Sequence, residues 1–211
     1  MKLTTLAFAW LGYFSIHSLL ATTSAKARIG QLYPQLIPSY RLAYNVFAVI
    51  SLVPIVWLIY STESHWVWQW RGKWAWVSDG AALTSVLCFF VSAKFYDLNE
   101  FFGFRQLADR GKDTQENFTI SPFHRFVRHP WYCFGLVLIW TRDMNEPLLI
   151  SGIAITVYFV IGSRLEEKKL IDCFGDSYRR YIAAVPGLIP LPWRYLSSMD
   201  AATLVNKISH M

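Results

Sequence analysis

A chain of 211 residues that is 54% hydrophobic, 17% aromatic and only 16% charged departs from soluble domains, which carry roughly 25% charged residues. The formal charge of +6 is scattered between apolar runs rather than gathered into one stripe, which excludes a nucleic-acid groove. Cys88, Cys133 and Cys173 show neither CxxC nor Cys/His spacing, so neither a disulfide framework nor a metal site is expected.

The first apolar run, Leu3 to Ala21, is long enough to cross about 30 Å of hydrocarbon as a helix. Lys26 and Arg28 follow it directly, and positive charge there holds a segment on the cytosolic side, so a retained span is expected rather than a cleaved signal. Tyr40 to Tyr60 is the second run, with Pro54 expected to kink it rather than end it. Ser78 to Tyr96 is the third. Between these two, Trp66, Trp68, Trp70, Trp74 and Trp76 read as a loop forming an interfacial aromatic belt. The fourth run, Trp131 to Trp140, rises only about 15 Å as a helix, half of what a span requires, and could begin as early as Phe123. A polar turn, 141 to 146, leads into a fifth run, Pro147 to Gly162, so the last two runs form a hairpin whose ends return to one side.

The expected fold class is therefore all-α: a polytopic transmembrane bundle of about five hydrophobic helices, the last two a hairpin, with a short cytosolic helical C-terminal region. With no linker, low-complexity tract or repeat period, residues 1–211 read as a single domain. Residues 1–96 hold three spans, 97–194 the functional half and 195–211 a tail. Segments 22–41, 94–128 and 164–211 hold sixteen of the twenty Lys and Arg. Because positive loops stay cytosolic, the N-terminus is expected outside and the C-terminus inside.

Two polar stretches flank the hairpin. In the first, Ser121-Pro122 reads as a helix cap with Pro at the first helical position, and His129-Pro130 repeats the logic. A helix start presents unpaired N–H groups, so with Arg128 and His129 beside it this is an anion site in waiting. Headgroup anchoring by the same two residues is the plainer alternative. In the second stretch, helical spacing sets Glu167, Leu170, Ile171, Phe174, Tyr178, Tyr181 and Val185 along one side, a carboxylate heading an apolar stripe. Gly175 and Asp176 read as a C-cap followed by an N-cap. His17, within the first run, is an intramembrane ionisable group, more often a packing residue than a ligand. No P-loop, GxGxxG, HExxH or GxSxG pattern is present, which removes the usual NTPase, dinucleotide, zinc-protease and serine-hydrolase readings.

Arg128-His129-Pro130-x-Tyr132-x-x-Gly135, followed by Arg164-x-Glu166-Glu167 and then Phe174-Gly175-x-x-Tyr178-x-x-Tyr181-x-x-x-Val185-Pro186, resembles the isoprenylcysteine carboxyl methyltransferase superfamily of integral membrane methyltransferases. The stretches His17-Ser18-Leu19-Leu20-Ala21 and Phe101-Phe102-Gly103-Phe104-Arg105-Gln106 look more like its NnrU and methanethiol S-methyltransferase branch.

That resemblance implies S-adenosyl-L-methionine as the methyl donor, entering from the cytosol of a bacterial inner membrane, and a small thiol or lipophilic, prenylcysteine-like or lipid-like acceptor arriving from the lipid side. The cofactor contacts it implies are Asn117, Phe118, Thr119, Ile120, His124, Arg128, His129, Pro130, Trp131, Tyr132, Gly135 and Glu166. Arg164, His124 and Glu167 are the catalytic candidates, with His124 or His129 as the base for a thiol and Trp131 or Tyr132 as a cation–π partner of the sulfonium. The resemblance sets Glu166 at the cofactor, whereas the helical stripe favours Glu167. Membrane lipids are expected as surroundings, with no nucleic acid and no obligate protein partner. A non-enzymatic, NnrU-like accessory or transport protein is the alternative, and a membrane reductase a third.

Overall fold

The structure is a computed structural model, described for residues 2–110 and 120–209, the side chains of 206–209 excepted. Among the described residues the chain is almost wholly helical: α1 (Lys2–Leu20), α2 (Thr23–Leu32), α3 (Ile37–Ser61), α4 (Lys73–Ala93), α5 (Leu98–Phe102), α6 (Phe104–Ala108), α7 (Pro130–Trp140), α8 (Glu146–Ala184) and α9 (Ser198–Ser209). The only sheet among them pairs β1 (Trp66–Trp68) with β2 (Met144–Asn145), antiparallel. Four helices are long and apolar enough to cross a membrane, α1, α3 with its preceding turn, α4 and α8, and α7 is a shorter apolar helix. They leave large apolar side chains such as Val49, Trp57 and Phe90 more than 60% exposed, the surface of helices solvated by hydrocarbon rather than water. The expected all-α polytopic bundle is the one observed.

Several boundaries differ from the sequence reading, each for a physical reason. The third span begins at Lys73 rather than Ser78, so Trp74 and Trp76 stand on a helix and only part of the Trp cluster is loop. Trp66 and Trp68 form the strand that pairs with Asn145 and Met144, a use of aromatic residues for which strands have high propensity. Pro54 lies inside α3 without ending it. A short helix, α2, follows the first span, capped by the Thr22 side chain accepting from Ala25 N–H at 3.1 Å, and the tail forms α9.

The described chain divides into two compact units. The first comprises residues 1–69, 96–115 and 143–154, and α3 is its centre, packed by α1, α5 and α6. His17 Nε2 lies 2.8 Å from Tyr44 Oη, and Trp10 Nε1 donates to Ser151 Oγ at 2.9 Å, so both polar groups within the apolar helices are paired, as burial requires. The α5–α6 corner turns at Gly103, φ 96°. A Cβ there would lie 2.6 Å from Leu42 N, so the Phe101–Gln106 stretch owes its glycine to a backbone seated directly on α3. Asn45 Nδ2 caps the corner, donating to the Phe101 and Phe102 carbonyls.

The second unit comprises residues 70–95, 116–142 and 155–211. Within it α7 packs along α4. Trp131 Nε1 donates to Ser92 Oγ at 2.7 Å near the start of α7, and Ser78 Oγ donates to the Thr141 carbonyl at its end, so the two helices run antiparallel. At 39 residues, α8 would measure about 58 Å, nearly twice the hydrocarbon thickness. One helix thus carries both the fifth apolar run and the polar stretch after it, until Gly175, φ 54° and ψ −133°, breaks it where a cap was expected.

Candidate functional site

The site grows from the start of α7. Pro130 is the first helical residue and His129 its cap, as expected from the His-Pro step, and the helix begins there because proline disfavours helical conformation in the residue before it. It does not begin at Phe123: residues 123–125 form one isolated 3₁₀ turn, closed by His124 N–H donating to the Ser121 carbonyl at 3.0 Å. The Ser121 hydroxyl caps no helix and instead shares a 2.7 Å hydrogen bond with His124 Nδ1.

Backbone pairing ties this segment to the chain after α8. Arg128 N–H donates to the Pro186 carbonyl at 2.8 Å and His129 N–H to the Gly187 carbonyl at 3.1 Å, and Leu196 N–H donates to the Arg125 carbonyl at 2.9 Å. Beneath these bonds lies the expected stripe. Tyr178, Tyr181 and Val185 are buried together, with Ile120, Leu170, Ile171 and Phe174 packed on them. Tyr181 Oη donates to the His124 carbonyl at 2.6 Å, so the stripe also fixes the His124 turn.

Glu167, heading that stripe, turns inward. Its Oε1 accepts from Arg128 Nε at 2.8 Å, from Arg128 Nη2 at 2.8 Å and from His129 Nε2 at 2.9 Å. The third guanidinium nitrogen, Nη1, donates to the carbonyls of Ile182, in the last turn of α8, and of Val185, just after it, where a cation complements the helix end. Gly187 lies against the guanidinium, since a Cβ there would be 3.3 Å from Nη2. Arg128, with a side chain 9% exposed, therefore holds three pieces of chain together. His129 is buried, and its Nδ1 lies 3.5 Å from Glu166 Oε2. The Glu166 side chain is 52% exposed, so the two adjacent glutamates divide: Glu167 builds the site and Glu166 faces outward beside His129.

Aromatic residues continue the site toward the apolar end of the hairpin. The Tyr132 ring stacks on His129 at 5.5 Å and on Phe159 at 4.4 Å, both nearly parallel. Trp131 turns the other way, onto Phe89 and Ser92 of α4. Gly135 lies one turn on, under the edge of Phe159.

Burial, with His129 nearby, lowers the His124 pKa from 6.5 to about 4, so the ring is neutral at neutral pH and a weak proton acceptor. Arg164 is exposed on α8, outside the Glu167 cluster. Ile120 packs on the Tyr178 core, while Asn117, Phe118 and Thr119 lie outside the described residues. The structure thus brings together His124, Arg128, His129, Pro130, Tyr132, Gly135, Glu166 and Glu167. Phe159, Ser92 and the Pro186–Gly187 carbonyls were not singled out from sequence. Helical spacing could have found Phe159, seven residues before Glu166 on the same face, but backbone carbonyls carry no signal of their own.

Among known proteins, the chain is 30% identical over 196 residues to a methanethiol S-methyltransferase of Pseudomonas deceptionensis, covering 87% of this chain and 71% of that protein. It is 32% identical over 198 residues to one of Mycobacterium tuberculosis, covering 88% and 77%. With methanethiol S-methyltransferase 1 of Bradyrhizobium diazoefficiens it shares 33% identity over 172 residues, 74% of this chain and 56% of the relative. No family model matches the chain, and no solved structure does.

Proposed function

The chain belongs to the methanethiol S-methyltransferase family, and on that premise we propose that it is a membrane methyltransferase that moves a methyl group from S-adenosyl-L-methionine to a small thiol at the cytosolic face. The observation that carries this reading is the division of labour between the glutamates. With Arg128 and His129 held by Glu167, the half-exposed Glu166 carboxylate beside His129 and the start of α7 are the groups that would meet a ligand.

That set fits the cofactor. A carboxylate accepts from ribose hydroxyls or an ammonium group, and a helix start receives a carboxylate. Glu166, His129 and the start of α7 would hold it, and bound there it supplies a methyl group activated by a sulfonium. Arg128, whose three nitrogens are all engaged within the chain, is a positioning residue in this reading, and so is His124, bonded to Ser121.

With the donor held there, its methyl group would pass to the thiol sulfur, the old S–CH₃ electron pair remaining on the donor, and the thiol would give up its proton. His129 is the acceptor we assign for that proton. Its Nε2–H is fixed by Glu167 Oε1, so Nδ1 carries the lone pair in the neutral ring, and Glu166 stands beside it where positive charge would develop. Holding donor and acceptor in line and excluding water supplies the rest of the catalysis.

Transfer of a labelled methyl group from S-adenosylmethionine to methanethiol by the full chain in nanodiscs tests the reading, with S-adenosylhomocysteine affinity measured alongside. His129→Ala and Glu166→Ala are expected to weaken S-adenosylhomocysteine at least about tenfold, the scale of a lost charge-assisted contact, and His65→Ala to leave it unchanged. Absence of binding at millimolar concentration by the folded protein would overturn the proposal.

A further inference from the structure

Resting on the proposed thiol methylation, we infer that Phe159, stacked on Tyr132, is the residue that restricts the acceptor to a thiol of one or two carbons. Phe159, Gly162, Ser163 and Glu166 recur at i, i+3, i+4 and i+7 on α8 and so share one face. That face is polar at one end, where Glu166 stands beside His129, and aromatic at the other. Between the ends it carries almost no side chain: Gly162 has none, and the Ser163 hydroxyl is turned back to the Val160 carbonyl at 3.0 Å.

Across from it on α7, Tyr132 is held parallel to Phe159, 4.4 Å away and inclined by 7°. A Cβ at Gly135 would lie 3.2 Å from Phe159 Cε2, so the ring has α7 close against its edge and cannot swing toward it. A Cβ at Gly162 would meet one neighbour, Tyr132 Oη at 4.0 Å, which is ordinary contact. The space above Gly162 therefore admits at least one methyl group, with the Tyr132 hydroxyl its nearest neighbour and Phe159 and Glu166 about one helical turn to either side. An apolar acceptor coming along the hairpin meets Phe159 before it reaches the polar end. A methyl substituent fits beside the ring, and a butyl chain must displace it from two packed neighbours.

Substitution separates this arrangement from mere packing. With the full-length protein in nanodiscs, kcat/KM is measured for methanethiol and for 1-butanethiol, and S-adenosylhomocysteine affinity is measured by calorimetry in each variant. Phe159→Ala is expected to raise the butanethiol-to-methanethiol ratio by about tenfold or more, the scale on which pockets discriminate alkyl groups. Phe159→Leu, which keeps the interface filled if the alanine variant does not fold, shifts the ratio in the same direction by less. Gly162→Ala, which meets no clash, lowers kcat/KM for methanethiol, and nucleoside affinity holds throughout. An unchanged ratio in both Phe159 variants with that affinity intact overturns the inference alone. Wild-type protein that binds no S-adenosylhomocysteine overturns the methyltransferase reading beneath it.

Discussion

Arg128 is where the sequence is most easily misread. Beside a helix start and in a basic segment it looks like an anion ligand or a headgroup anchor, yet its guanidinium is spent on Glu167 and on two carbonyls. Arg128→Ala strands a mostly buried carboxylate and a helix end, and unpairing such a group costs about 3–5 kcal/mol, to be seen as a lowered unfolding temperature in detergent. Arg128→Lys restores the charge without the planar fork that reaches both partners. It is therefore expected to recover less than half of the loss, whereas a lipid-anchoring arginine would be replaced without effect. The neighbouring glutamates drew opposite readings: the resemblance set Glu166 at the cofactor and the helical stripe favoured Glu167, and the structure turns Glu167 inward onto Arg128 and His129.

Single glycines set the elements. The sequence marked Gly175 as a cap, and its φ of 54° with ψ of −133° belongs to a region that side chains avoid, so Gly175→Ala is expected to cost about 1–3 kcal/mol although a Cβ there meets no neighbour. Gly103→Ala combines a positive φ with a Cβ 2.6 Å from the α3 backbone and is expected to cost more than Gly175→Ala in the same thermal measurement. The shortness of α7 was legible, since the apolar run is bounded by His129-Pro130 on one side and a polar turn on the other. The continuity of α8 through Arg164 and the two glutamates was not, because hydropathy falls where the backbone does not change.

At the scale of the molecule, membrane residence and orientation make separate demands. Charge counting gives the expectation that the Trp-rich loop and the 141–146 turn share one side of the membrane, and β1 pairs with β2 between those two segments. Cys173 is exposed on the far part of α8. In the proposed orientation a membrane-impermeant maleimide labels it in inverted vesicles and leaves it unlabelled in right-side-out cells, after Cys88 and Cys133 are replaced by serine. Stability is also expected to depend on pH through His124. The folded ring stays neutral down to about pH 4 while the unfolded ring takes up a proton near 6.5. Between those values the unfolded state binds more protons, so stability falls as pH drops from about 6.5 to about 4 and this contribution changes no further on either side. His124→Gln should flatten that part of a stability-against-pH curve.

Apolar length and proline placement in the sequence alone determined a polytopic helical protein, the helix start at Pro130 and the break at Gly175, because each depends on local chemistry or on transfer between water and lipid. Two separated motifs also sufficed to indicate the family. What Glu167 and Arg128 hold, how Tyr132 meets Phe159 and where the Pro186 and Gly187 carbonyls go were decided by the tertiary structure alone. Those are pairings between residues 27 to 58 positions apart, and most of the partners are backbone carbonyls and ring faces that every sequence offers and none advertises.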